Sequence, residues 1–153
     1  LLVLQIVWSS IPMLLVHVAM ELFSKTFYGP WSECWKSLNI AVLEFYPIVL
    51  SGIIWGYLMR NQHITFFWDN EALVYVINKS SCRDKFLMSF VRRLVFVCLQ
   101  NNILFRAQHV PSIKNDLADS LSRLQIQRFW RLAPAHMQLS PVAIPTVLQP
   151  DHW

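Results

Sequence analysis

Helix-like and strand-like segments alternate through most of the chain, and this order constrains the fold more than any other feature. Some segments carry apolar residues at helical spacing, and others are short and rich in β-branched and aromatic side chains, which favour strands. The predicted elements are, in order, strand 27–31, helix 37–59, strand 63–68, helix 69–78, helix 84–100, strand 103–110 and helix 115–124. This order predicts an α/β fold with a central mixed sheet flanked by helices.

The amino-terminal segment is open to more than one interpretation. Residues 1–20 carry no charge, and about 20 apolar residues suffice to span a bilayer. Gln5, Pro12 and His17 interrupt the run, and it lacks the basic residues that begin a signal peptide. A membrane helix, a buried strand pair and a poorly packed apolar leader all stay open for this segment.

Composition shifts along the chain suggest three regions. We expect an apolar leader over residues 1–25, one domain over residues 26–133 and a Pro-rich extended tail over residues 134–153. The chain begins with Leu1 rather than Met, which suggests a piece of a longer product. Three cysteines without CxxC spacing fit a reducing compartment, so we expect an intracellular protein, in the cytoplasm or nucleus, rather than a secreted one.

Charge and motif content narrow the function classes. With 55% hydrophobic and 14% charged residues, the chain is not a disordered polar tail. The net charge is +4, and residues 83–131 hold nine basic residues against three acidic ones, which permits a polyanionic partner. The sequence has no phosphate-binding GxxxxGK[ST] or GxGxxG motif and no His/Cys cluster, so nucleotide hydrolysis, hydride transfer and zinc binding are not expected.

Three acidic residues fall where the predicted elements begin, end or pack. Glu44 lies beside the apolar face of the first helix, Asp69 directly follows an apolar strand, and Asp119 lies in the last predicted helix. Each has a structural explanation, namely a solvated helix residue, a helix N-cap and an acidic first turn that complements the helix dipole. Together they offer hard oxygen ligands suited to Mg²⁺, and a pair of such ions can hydrolyse a phosphodiester.

Four segments around these acids resemble the ribonuclease H domain of retrotransposon polyproteins. They are residues 38–45 (Leu-Asn-Ile-Ala-Val-Leu-Glu-Phe), 66–74 (Phe-Phe-Trp-Asp-Asn-Glu-Ala-Leu-Val), 109–112 (His-Val-Pro-Ser) and 117–123 (Leu-Ala-Asp-Ser-Leu-Ser-Arg). They occur in the family's order and at its spacing, and the resemblance covers about residues 26–133. The chain looks most like the tyrosine-recombinase retroelements, the DIRS-like group.

The resemblance implies a ribonuclease H-like fold and cleavage of the RNA strand of RNA–DNA hybrids. Glu44, Asp69 and Asp119 match the family's catalytic acids, which bind Mg²⁺ or Mn²⁺, and Asn115 matches an Asn in the same turn as the last acid. The implied partners are the hybrid and the reverse transcriptase domain of the same polyprotein, and a membrane is not expected among them.

The chain departs from the family's pattern at three places. Trp68 stands where the family usually has Thr, and Ser112 stands where it often has Gly. The family's first strand also carries an Asp followed by small residues and Gly, whereas no acidic residue precedes Glu21 here. We therefore expect an altered first strand, three metal-binding acids instead of four, and impaired cleavage.

A frameshift is a hypothesis for the altered strand. Shifting the codons by one base from Pro12 to Leu22 permits the sequence Asp-Ala-Ala-Gly-Ser-Cys-Gly-Tyr-Gly-Ala-Ile, which is the pattern expected for the family's first strand. The reconstruction requires that the Pro12 codon end in G, so the coding DNA tests it directly.

Several residues are candidates for substrate binding. They are Asn70, Lys79, Arg92, Arg93, His109 and Asn115. The cations could contact hybrid phosphates or simply form a solvated helix face. Asn70 could contact a 2′-hydroxyl or cap a helix, and His109 could order a loop or transfer a proton. The alternative function for the whole chain is a non-catalytic α/β binding module or a membrane-tethered module.

Overall fold

The computed structural model describes residues 2–5, 13–19, 24–30, 35, 37–68, 70–109, 127–128, 131, 141–149 and 152. The chain divides into two compact units, one formed by Leu1–Leu4 with Asn39–Val110 and the other by Gln5–Leu38 with Pro111–Trp153. The elements are β1 (Leu2–Gln5), β2 (Met13–Ala19), β3 (Ser24–Pro30), α1 (Ile40–Trp55), a 3₁₀ turn (Gly56–Met59), β4 (His63–Trp68), α2 (Glu71–Lys79), α3 (Lys85–Gln100), β5 (Leu104–His109), β6 (Pro141–Ala143) and a second 3₁₀ turn (Thr146–Leu148). The mixed α/β class predicted from the sequence is confirmed.

Two parallel strands organise the first unit, where the strand order is β5-β4-β1. Strand β4 pairs with β5 from His63 opposite Leu104 to Trp68 opposite His109. Ile64, Phe66 and Trp68 are buried, and so is Thr65 between them. The predicted strand over residues 63–68 is confirmed, but only one of its faces is fully covered, because Phe67 is half-buried and His63 is exposed on the other face.

Helix α1 forms the centre of this unit. Asn39 caps it by accepting a hydrogen bond from the Ala41 N–H at 2.9 Å, so the helix begins three residues after the predicted start. Its apolar residues lie on all sides, and Phe45, Tyr46 and Ile48 are wholly buried. With the following turn it is long and apolar enough to cross a membrane, but most of it is buried within the protein, and core helices share that composition.

Helix α3 packs against α1. The Phe90 ring lies 6.4 Å from Phe45 and 6.5 Å from Tyr46, measured between ring centroids. Gly56, directly after α1, permits the close approach, because a Cβ atom there would lie 2.9 Å from the Asn101 Nδ2 atom and 3.3 Å from a Val97 methyl. The predicted inward residues Leu87, Val91, Leu94 and Cys98 are buried, whereas Val95 is half-buried and Arg92 and Arg93 are exposed as predicted.

The second unit contains an antiparallel hairpin. Strand β2 pairs with β3 from Met13 opposite Pro30 to Ala19 opposite Ser24, and Gln5 at the end of β1 pairs with Ala19. Strand β6 runs parallel to β3, so part of the predicted extended tail joins this sheet. Residues 2–5 and 13–19 therefore form strands rather than one helix.

Candidate functional site

The carboxyl ends of β4 and β5 lie side by side. Trp68 and His109 are the last residues of the two strands and are paired in register. Helix α2 begins immediately afterwards, with Asn70 as its N-cap. Ligands of parallel sheets bind at this end, because the loops that follow the strands converge there.

Asn70 connects α2 to α1. Its Oδ1 atom accepts hydrogen bonds from the backbone N–H groups of Ala72 at 3.1 Å and Leu73 at 3.3 Å. Its Nδ2 atom donates a hydrogen bond to Oε2 of Glu44 at 2.7 Å. At 2.7 Å this is a short hydrogen bond, and a carboxylate is a strong acceptor. One side chain thus starts a helix and holds a half-buried carboxylate of a neighbouring helix.

His109 lies beside the start of α2. Its Nδ1 atom is 3.7 Å from Oε1 of Glu71, the first residue of that helix. The Glu71 side chain is 82% exposed, so water screens this pair and it contributes little to stability. Glu71 also places a negative charge in the first turn, where the helix dipole favours one.

The structure brings only some of the predicted site residues together. Glu44 and Asn70 are in direct contact, and His109 lies at the same end of the sheet. The helix-cap interpretation of Asn70 is confirmed. Asp69, Asn115 and Asp119 lie outside the described residues.

Lys79, one of the predicted phosphate-binding cations, lies away from Asn70. Lys79 is the last residue of α2, about 12 Å along the helix from Glu71. Its Nζ atom lies 4.9 Å from the centroid of the Tyr75 ring. Arg92 and Arg93 are exposed on α3. Exposed cations of this kind can attract a polyanion to the surface.

The donor chemistry at this end of the sheet suits a hard cation. The Glu44 carboxylate is an oxygen ligand of the kind Mg²⁺ prefers, and Asn70 already orients it. Within the part of the chain that the structure describes, no three His, Cys, Asp or Glu side chains converge on one point.

Two polar contacts that join α2 to β5 were not predicted from the sequence. Glu71 pairs with His109, although its position directly after a capping Asn could have indicated a role at the helix start. Asn78 donates a hydrogen bond to the Ala107 carbonyl at 2.9 Å and accepts one from the Ala107 N–H at 2.7 Å. No local signal announces this pair, because the two residues meet only when α2 packs against β5.

Comparison with known proteins adds no assignment. No family model matches the chain, and no curated protein matches it significantly.

Proposed function

We propose that the chain is a ribonuclease H-type domain of a retroelement polyprotein, with a ribonuclease H-like fold, that acts on the RNA strand of RNA–DNA hybrids. The bond between Glu44 and Asn70 carries the proposal, because it holds one predicted metal-binding acid against the residue that directly follows another, Asp69. The mixed α/β fold and the parallel strands β4 and β5 are compatible with it.

Glu44, Asp69 and Asp119 are the residues that would hold Mg²⁺ or Mn²⁺. A bound pair of such ions supplies an activated water and stabilises the leaving oxygen of a phosphodiester. The Glu44 carboxylate reaches the carboxyl end of β4 from helix α1, and the Asn70 amide holds its direction. If the three acids lie together as proposed, a cation would relieve the repulsion between their negative charges.

Surface cations account for binding of the hybrid in this proposal. Lys79, Arg92 and Arg93 are exposed and carry positive charge toward solvent. Contacts of this kind neutralise phosphates and weaken steeply as salt rises. Asn70 contacts Glu44, His109 ends the strand beside β4, and with Asn115 they form the proposed set of contacts to the hybrid near the cleavage site. The hybrid and the polyprotein's reverse transcriptase domain are the proposed partners, in the cytoplasm or nucleus.

The proposed activity is impaired in this chain. Strand β2 spans Met13–Ala19 and contains no acidic residue, so it supplies no fourth metal ligand. Three carboxylates compensate the charge of two divalent ions less well than four do. We therefore expect weak cation binding and slow cleavage. The frameshift hypothesis would explain why the fourth acid is missing.

Thermal unfolding with and without Mg²⁺ tests the proposal. At a Mg²⁺ concentration ten times its Kd, binding to the folded chain adds about 1.4 kcal/mol to the free energy of unfolding. For a chain of this size the melting temperature rises by about 3–5 °C. We expect Glu44→Gln and Asp69→Asn each to abolish most of this rise.

Glu71→Gln is the matched control, because it removes an exposed acid at the same end of the sheet. The variant keeps the Mg²⁺-dependent rise if the three proposed acids hold the cation. An unchanged melting temperature of the parent chain in Mg²⁺, or an equal loss in all three variants, contradicts the proposal.

A further inference from the structure

Asn70 does more than a helix cap requires. Ser, Asp and Asn all cap helices well, because each offers an oxygen to the free N–H groups of the first turn. Here the oxygen of Asn70 fills that role, and the nitrogen at the other end of the same amide donates to Glu44. An Asp at this position would cap the helix but would bring a second negative charge against Glu44.

The two functions of the amide are geometrically linked. An amide group is planar, and Oδ1 is held by two backbone N–H groups of α2. Rotating the amide by half a turn would set its N–H₂ group against those donors, so the network fixes which end faces Glu44. The start of α2 therefore determines the position of the Asn70 Nδ2 group that donates to Glu44.

The carboxylate gains a defined position from this donor. Glu44 has a flexible side chain, and it projects from a helix whose neighbouring residues Leu43 and Phe45 are buried. A 2.7 Å hydrogen bond to Oε2 restricts the rotamers of that side chain before any cation arrives. Restricting a ligand beforehand lowers the entropy lost on binding.

We propose that Asn70 is a positioning residue that fixes the Glu44 carboxylate against the start of α2 and thereby sets the affinity of this site for a divalent cation. The proposal rests on the function proposed above, since it takes Glu44 as a cation ligand. Partners of this kind, which orient a metal ligand without touching the metal, typically change affinity by about 10–100-fold when removed.

Mn²⁺ titration followed by electron paramagnetic resonance tests this role, because the free ion is measured directly. Asn70→Ser keeps an oxygen for the cap but is too short to place a donor at Glu44. Asn39→Ser is the matched control, since Asn39 caps α1 through Ala41 with the same side-chain chemistry. Glu44→Gln removes the proposed ligand itself, and melting temperatures without Mn²⁺ verify that each variant folds.

The expected result is a weakening of Mn²⁺ binding by about ten-fold in Asn70→Ser, with Asn39→Ser binding as the parent chain does. If Asn70→Ser binds Mn²⁺ normally while Glu44→Gln does not, the positioning role is wrong and the proposed function stands. If the parent chain and Glu44→Gln bind equally, the proposed function fails and the role of Asn70 fails with it.

Discussion

At the scale of single residues, contacts between near neighbours were predictable and distant ones were not. The Asp-Asn pair after the apolar strand predicted a helix start, and Asn70 does cap α2. The bond from Asn70 to Glu44 joins residues 26 positions apart, so it depends on how α1 and α2 pack. The sequence placed both residues on a list of candidates but contained no information on their contact.

The two described cysteines differ in environment, and this predicts a difference in reactivity. Burial raises the pKa of the Cys98 thiol from 9.0 to about 12, whereas Cys82 is half-buried and its pKa is raised by burial and by Asp84. The thiolate is the reactive form. In a Cys34→Ser variant at pH 8, we expect iodoacetamide to label Cys82 in the native protein and Cys98 only after unfolding.

Burial of the Cys98 thiol also makes the stability of the fold depend on pH. A Cys98 thiol that keeps its proton in the folded state stabilises the fold below pH 9.0, and this contribution is lost as pH rises toward about 12.

For the labelling experiment, mass spectrometry of labelled peptides measures the reactivity of each cysteine. Equal labelling rates for the two cysteines in the native protein contradict the described burial.

At the scale of elements, a helix or strand could be predicted from the sequence where its buried residues recur at a regular spacing. Strand β4 has buried residues on both faces, and α3 has an apolar side and a basic side, so each left a clear pattern in the sequence. Helix α1 is apolar on all sides, and its first residue is set by Asn39 rather than by periodicity. The apolar residues of the uncharged segment 1–20 follow neither helical nor strand spacing, so strands could not be distinguished from a helix there.

Asn78 protects the edge of β5, and we expect its loss to be costly. Its amide replaces a neighbouring strand for the N–H and C=O groups of Ala107, which is only 6% exposed. Asn78→Ala leaves both backbone groups without these partners and should lower the free energy of unfolding by about 1–3 kcal/mol. Urea denaturation measures this loss.

Two further variants separate the edge contact from a general effect on α2. Lys79→Ala changes the next residue, which is exposed and lies at the helix end, so we expect a change of less than about 0.5 kcal/mol. Asn78→Asp keeps an acceptor for the Ala107 N–H and should fall between the parent and Asn78→Ala. A loss in Lys79→Ala as large as in Asn78→Ala would show that the edge contact is not the cause.

At the scale of the whole molecule, the order of segments was sufficient to predict the mixed α/β class. Parallel pairing of β4 with β5 follows from the two helices that connect them, since such a crossover returns the chain to the same end of the sheet. The assembly of the predicted acids did not follow from that order alone. Glu44 reaches the end of β4 through its contact with Asn70, and Asp69 and Asp119 lie outside the described residues.

Cleavage of an RNA–DNA hybrid in Mg²⁺ tests the central claim most directly. The chain is compared with a version in which residues 12–22 are replaced by the reconstructed strand, and Glu44→Gln is made in the reconstructed version as the inactive control. We predict that the reconstructed version cuts the RNA strand, that the chain itself cuts at least about ten-fold more slowly, and that Glu44→Gln abolishes cutting. A reconstructed version that folds yet leaves the hybrid intact, or that cuts equally well with Glu44→Gln, contradicts the account.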